Sequence, residues 1–365
     1  MYDADVYRLG AHLAISGSDL YPQVARHPFT YPPFAALLFV ALLLPPEPAM
    51  AIAWTTLNTL CLGAAAWLSL GSVGVTESRN RLLLTLAVCA LTVWLDPIEA
   101  TLLMGQINLL LLALILADLL LPDGSRFKGL LLGLATGLKL EPGIFIVYLL
   151  LTRRFAAAAR AIGAFAATVV IGFILLPRDS VEYWAGTFLE SRRVGDAANP
   201  RSESIQSLVT RWLHGTPPAP LVLGLDAAVA ALTLAIAVRA HRRGDELLAA
   251  CVVAAGMLLV SPITWQHHWV WVLPMLIWLG REAVSKRSLA ALGAAALIAA
   301  DFLARPYSWI PVDPVQDAHL GWLALLASST YPVATLLFVA VAAQQSHQTS
   351  TPWSASGGRS RTLAR

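Results

Sequence analysis

The chain has 365 residues, of which 57% are hydrophobic and 13% charged, with a mean hydropathy of +0.66. Water-soluble domains carry about 25% charged residues, so that class is excluded, and a net charge of +3 gives no reason to expect a nucleic-acid partner. Cys61, Cys89 and Cys251 each lie inside an apolar run with no C-x-x-C spacing, which argues against a disulfide framework or a zinc site and for small core residues.

The chain opens polar, with "MYDADVYRLG", and shows no cleavable signal peptide. Residues 1–33 read as a first loop. "FAALLFVALLL" at 34–44 follows; as a helix it covers roughly 16 Å of a hydrocarbon core about 30 Å thick, so it is expected to be re-entrant or juxtamembrane. Apolar segments then recur at about 49–71, 82–95, 107–121, 126–138, 141–152, 161–177, 219–238, 247–262, 268–280, 289–304 and 321–343. This pattern predicts an all-α polytopic membrane protein with about eleven transmembrane helices. Residues 178–218 form a long loop, and the stretch 344–365 is polar, Ser/Thr-rich and basic, as expected of a disordered tail.

Near the middle of the chain, "GLATGLKLEPGIFIVYLLL" sets Lys139, Glu141 and Pro142 inside an apolar run. A charge in hydrocarbon costs about 2.5–3.5 kcal/mol on insertion scales. One reading is a lysine that snorkels from a helix end. The other is a helix break lining a polar cavity, where the ammonium meets a phosphate as a point charge.

Orientation follows from the basic loops. With 34–44 not crossing, Arg79 and Arg81, Arg126 and Lys128, Arg153, Arg154 and Arg160, Arg239, Arg242 and Arg243, and Arg281, Lys286 and Arg287 all fall on one side, together with Arg359, Arg361 and Arg365 of the tail. That side is expected to be cytoplasmic. The outer side collects "DADVYRLG", "TYPP", "DPIEATLLMGQIN", the turn at Lys139, loop 178–218, "SPITWQHHW" and "RPYSWIPVDP". An extracytoplasmic site is the expectation, with residues 1–33 outside and a preceding helix missing from the start.

The polar groups of that face each have a plain alternative. His267 and His268 stand beside Trp265, Trp269 and Trp271. The tryptophans fit an interfacial belt as well as sugar stacking or support for the histidines. Adjacent histidines diverge by about 100° on a helix, so one is expected to serve a phosphate or hydroxyl and the other the structure, with no metal between them. Asp3 and Asp5 in "DAD" are solvated loop carboxylates, or a D-x-D pair of the kind glycosyltransferases use. Gln106 and Asn108 in "MGQIN" suit hydroxyl recognition or helix–helix hydrogen bonding. Asp96-Pro97 fits a helix stop. The chain lacks a P-loop, a Rossmann glycine fingerprint and a G-x-S-x-G elbow, so neither a nucleotide nor another cofactor is called for.

"DADVYRLGAHLAISGSDLY", "FTYPPFAALLF", "GQINLLLLALILADL", "GLATGLKLEPGIFIVYLLLTRRF", "SVEYW" and "SPITWQHHWVWVLP" occur in an order that resembles glycosyltransferase family 87, over roughly residues 1–340. The family's members are polyprenyl-phosphate-mannose-dependent α-(1→2)-mannosyltransferases of the GT-C superfamily. The resemblance implies a GT-C-like bundle over 1–343 in a bacterial plasma membrane, a polyprenyl-phosphate-mannose donor, a lipid or glycan acceptor, and an inverting transfer. Relatives begin with one more helix, and carry Asn where this chain has Ile205 in "SESIQSL". Their first-loop aspartate, in a pattern like D-L-x-V-Y, aligns with Asp3, which is therefore expected to be the general base, with Asp5 capping the helix behind it. The resemblance further implies that Lys139, His267, His268 and Arg8 serve the donor phosphate. Tyr31, Gln106, Asn108, Glu141 and Trp265 are expected to line the sugar or acceptor pocket. A transporter of lipid-linked sugars, or a transferase using arabinose or glucose, is the rival expectation; broken helices with charges suit transporters too.

Overall fold

The computed structural model describes residues 1–22, 28–310 and 321–345. The described part is helical, and its one strand-like feature is an isolated antiparallel bridge between Ser202 and Trp265. Most of the expected tail, from residue 346 onward, lies outside the described residues, as do 311–320 of the last outer stretch.

The polar start is a helix, α1 (Tyr2–Ser16), closed by Gly17 in the left-handed conformation at φ 70°. Asp5 therefore sits inside the first turn and caps nothing; Met1 holds the cap position. A short apolar helix, α2 (Pro33–Phe39), runs into a 3-10 turn ending at Leu43. Next come α3 (Glu47–Ser72), α4 (Ser78–Thr92) and α5 (Asp96–Met104). Asp96-Pro97 lies just past the stop of α4 at Thr92 and itself starts α5: proline fits the first turn of a helix, whose N–H is unpaired in any case. Asp96 accepts the hydroxyls of Tyr307 (2.8 Å) and Tyr331 (2.9 Å).

The central helices are α6 (Asn108–Leu119), α7 (Leu130–Leu138), α8 (Ile144–Leu151) and α9 (Phe155–Leu175). Gly129, Gly133 and Gly137 repeat every four residues, so they share one face of the α7 region. A Cβ on Gly133 would lie 2.3 Å from the Ala161 carbonyl oxygen, and one on Gly137 would lie 2.2 Å from Thr168 Oγ1. Only glycine allows α7 and α9 to approach this closely, as in small-xxx-small membrane packing. Loop 178–218 carries α10 (Pro177–Ala185), α11 (Ser191–Val194) and α12 (Ile205–Trp212), the last capped by the Ser204 hydroxyl accepting from Ser207 N–H. The chain continues with α13 (Ala219–Arg242), α14 (Glu246–Val260), α15 (Val272–Ser285), α16 (Leu289–Ala304), α17 (Trp322–Ala327) and α18 (Thr330–Gln345). Gln344 and Gln345, placed in the tail by the sequence, extend α18.

Among the described residues four stretches are long and apolar enough to cross a membrane: Glu47–Ser72, Phe155–Leu175, Ala219–Arg242 and Leu289–Trp309. The pair Ser78–Thr92 and Asp96–Met104, bent by 82°, makes a fifth if it is one broken span. Pro33–Leu43, Asn108–Leu119, Glu141–Leu151 and Glu246–Val260 are apolar but shorter. Among the described residues, helices of full length thus account for four or five of the roughly eleven crossings expected.

Polar groups gather at both ends of α13, which is roughly 36 Å long. Near its C-terminus Arg154 pairs with Glu246 at 2.7 Å, and Glu246 also meets the Tyr148 hydroxyl (2.9 Å) and His241 (2.8 Å). Arg281 pairs with Asp245 in the same region. Buried Lys128 donates to the carbonyls of Leu119 (2.8 Å) and Leu121 (2.6 Å) and pairs with Asp123 (3.0 Å). These partners offset the cost of taking the ammonium out of water. The other end holds the cavity.

Candidate active site

A cavity of about 1360 Å³ is walled by α1, the turn after α5, the α7–α8 break, loop 178–218 and the 3-10 turn Gln266–Trp271 that follows α14. Asp3, Tyr31, Gln106, Lys139, Glu141, Trp265, His267 and His268 all line it.

α1 contributes Asp3 and Tyr7, which are four residues apart and so share a face. Asp5 is about 200° round the helix from Asp3; it is 55% exposed and lies 3.8 Å from the N-terminal ammonium. The two carboxylates therefore cannot grip one ion together. Buried Tyr7 donates to Gln106 Oε1 at 2.7 Å, shares a hydrogen bond of 3.0 Å with the Tyr31 hydroxyl and accepts from Ile107 N–H at 3.3 Å. Gly105 makes this docking possible: it has φ +73°, and a Cβ there would come 2.9 Å from that of Ala4. Burial above all, with the Asp3 and Glu141 carboxylates nearby, pushes the Tyr31 hydroxyl up, so it stays a neutral donor.

On the facing wall α7 ends at Leu138, Lys139 is extended at φ −151° and ψ 131°, and Glu141–Gly143 forms a 3-10 turn before α8. The Lys139 ammonium donates to Glu141 Oε2 (3.1 Å), His268 Nε2 (3.0 Å) and Asn108 Oδ1 (3.4 Å). An ammonium has donors only, so Nε2 of His268 is the acceptor and that ring is neutral with its proton on Nδ1, 3.9 Å from Glu141 Oε1. Burial, then the charge of Lys139, pulls His267 down to about 3. It too is neutral, and among the described residues neither of its ring nitrogens has a hydrogen-bond partner. Lys139 is thus the cation of this wall, and the histidines offer hydrogen bonds.

Two expected residues stand apart from the cavity lining. Arg8 lies 3.8 Å from Glu47; five residues on from Asp3, it is turned about 140° away. Asn108 sits behind the wall, its Nδ2 donating to the His267 carbonyl at 2.9 Å, where Thr101 Oγ1 also donates at 3.1 Å. It fixes the histidine turn and Lys139 together. Of the tryptophans, Trp265 lines the cavity, whereas Trp269 and Trp271 are buried, Trp269 beside Phe302 and Tyr331 and Trp271 stacked on Phe145. Burial of both rings removes them from an interfacial belt and from sugar stacking alike.

Residues of loop 178–218 that the sequence did not single out also line the cavity, among them Arg192, Arg193 and Arg201. The loop is stitched to the histidine turn by Glu203 N–H donating to the Thr264 carbonyl at 2.7 Å and by the Ser202–Trp265 bridge. Ile205 is buried and does not reach the cavity lining.

The model of glycosyltransferase family 87 matches residues 29–262. A polyprenol-phosphate-mannose-dependent alpha-(1-2)-phosphatidylinositol mannoside mannosyltransferase of Mycobacterium tuberculosis is 34% identical over 365 residues, covering 93% of this chain and 84% of the relative. Its namesake in Mycolicibacterium smegmatis is 35% identical over 314 residues, 79% of this chain and 71% of the relative. A pentamannoside mannosyltransferase of Mycobacterium tuberculosis is 37% identical over 253 residues, 69% of this chain and 58% of the relative. No solved structure matches.

Proposed function

The chain belongs to glycosyltransferase family 87, and from that premise we propose that it moves mannose from a polyprenyl-phosphate donor to a phosphatidylinositol-mannoside-type lipid acceptor at the outer face of the membrane. The observation that carries this reading is the pairing within one cavity of the Asp3 carboxylate on one wall and the Lys139 ammonium on the other.

In this reading Asp3 takes the proton of the acceptor hydroxyl as its oxygen attacks the anomeric carbon from the face opposite the phosphate. The new C–O bond forms while the bond from that carbon to the phosphate oxygen breaks, so the configuration inverts. The electron pair leaves with the polyprenyl phosphate, and Lys139 meets the charge that develops there. Neutral His267, with both ring nitrogens unsatisfied among the described residues, offers one donor and one acceptor to the phosphate or to a sugar hydroxyl. Tyr31, Gln106, Glu141 and Trp265 supply further polar and aromatic surface for mannose and acceptor.

Placement outside follows from the basic clusters near the C-terminal end of α13, taken as cytoplasmic. A bundle of about eleven crossings requires the shorter apolar helices to cross as well, and residues 1–343 then form one membrane-embedded unit. Purified protein in liposomes, given radiolabelled polyprenyl-phosphate-mannose and phosphatidylinositol mannoside, should yield a labelled mannoside one sugar longer. Label that crosses the bilayer without transfer would make the protein a transporter and sink the reading.

A further inference from the structure

The Lys139 ammonium has three N–H donors, and the structure gives each a partner: Glu141 Oε2 at 3.1 Å, His268 Nε2 at 3.0 Å and Asn108 Oδ1 at 3.4 Å. Because His268 is neutral, the cluster's charges cancel, +1 on Lys139 against −1 on Glu141. At the Lys139 ammonium an arriving phosphate finds no vacant donor. One of the three partners has to leave before Lys139 can hold it.

The surroundings say which. Asn108 is 5% exposed and is anchored through Nδ2 to the His267 carbonyl at 2.9 Å. His268 is 7% exposed, with its backbone N–H on the Trp265 carbonyl at 2.9 Å. Glu141 has a side chain 23% exposed and lines the cavity, and its second oxygen stands only loosely by His268, at 3.9 Å. It also bears the same sign of charge as the incoming group.

We propose that Glu141 is a built-in counter-ion of Lys139 that the phosphate displaces, so that the carboxylate and the phosphate compete for one ammonium. This rests on the reading of Lys139 as the phosphate's partner. The competition is uneven along the reaction. The donor phosphodiester carries one negative charge and competes with Glu141 on equal terms. As the sugar–oxygen bond breaks, the departing monoester gains a second charge and outcompetes the carboxylate. Displacing Glu141 costs the bound donor and the transition state alike, so the counter-ion raises donor KM and speeds product release and leaves the step from bound donor unchanged. The same carboxylate, returning to Lys139, helps to expel the polyprenyl phosphate.

The experiment measures KM for the donor and inhibition by free polyprenyl phosphate in the full chain, for the wild type, Glu141→Gln, Glu141→Ala, Glu141→Asp, Lys139→Met and the double variant Lys139→Met/Glu141→Gln. Both neutral variants at 141 should lower donor KM and tighten polyprenyl phosphate inhibition by about twofold to fivefold, the upper range of a partly exposed charge pair. Glu141→Asp, which keeps the charge, should stay near the wild type. In the Lys139→Met background the Glu141→Gln gain should vanish, since it acts through the ammonium. Lys139→Met with unchanged affinities would overturn the phosphate reading of Lys139 itself. Weakened affinities in Lys139→Met, with no tightening in either neutral variant, would overturn the exchange alone. A gain that persists in the double variant would also overturn it.

Discussion

The Tyr7 hydroxyl donates to Gln106 Oε1 at 2.7 Å across 99 positions of sequence, and so ties the polar start of the chain to the turn after α5. Tyr7 is stacked on Phe39 with ring centroids 4.3 Å apart, and edge-on to Tyr31 at 5.2 Å. These contacts fix the rotation of α1, and with it the direction of Asp3 one turn earlier.

Tyr7→Phe keeps the ring and removes the hydroxyl. Among the described residues, Oε1 of buried Gln106 would retain only the Tyr31 hydroxyl, at 3.4 Å, and Ile107 N–H would lose its acceptor. Stranding such groups costs about 1–3 kcal/mol. The expected outcome is a lower Tm in detergent together with a reduced kcat and a nearly unchanged donor KM. A fall in Tm with full kcat would detach Tyr7 from the positioning of Asp3.

His267 gives stability a pH dependence. Its folded-state value is depressed to about 3 by burial and by Lys139, against about 6.5 when unfolded. Between those values the unfolded chain binds the extra proton, so stability rises with pH across that interval. The contribution is complete above about pH 6.5 and is lost progressively on acidification towards about 3. Melting curves from pH 7.5 to 4.5 should show a steeper loss in the wild type than in His267→Gln. Parallel losses would mean that His267 is not buried neutral.

Orientation is testable by labelling. Asp196 is an exposed residue of loop 178–218, and Ser285 is exposed at the end of α15. In a background lacking Cys61, Cys89 and Cys251, Asp196→Cys should react with an impermeant thiol reagent on intact cells, and Ser285→Cys should react only after lysis. The reverse pattern would invert the topology and place the cavity inside.

Much of this arrangement is legible in the sequence. Charges and a proline inside an apolar run cost enough that the break at Lys139 is visible without a structure, and hydropathy alone marks α3, α9, α13 and α16. The missing part depends on direction. α1 reads as a loop because "YDADVYRLGAHLAIS" is mixed in polarity; its one-sided burial of Ala4, Tyr7, Gly10 and Ala11 appears only against Phe29 and Phe39. Arg8 and Asp3 are near neighbours in sequence but diverge once the segment is helical. Trp269 and Trp271 carry the same letters as a membrane belt and differ from one only in being buried. Arg192, Arg193 and Arg201 come to the cavity because loop 178–218 folds back onto the histidine turn, a long-range pairing with no local signal.

The central claim is that Asp3 is the general base of a mannosyl transfer, and Asp5 separates this from a general need for acid at the N-terminus. Loss of a positioned base costs about 10²–10⁴ in rate, whereas a first-turn acid facing outward is worth about 0.3–1 kcal/mol of helix stability. The measurement is the rate of mannose transfer from polyprenyl-phosphate-mannose by Asp3→Asn and Asp5→Asn, with donor binding measured in parallel. Asp3→Asn should bind donor and lose transfer by at least about 10², with Asp5→Asn close to the wild type; Asp3→Asn at full rate, or Asp5→Asn as the inactive variant, would contradict the account.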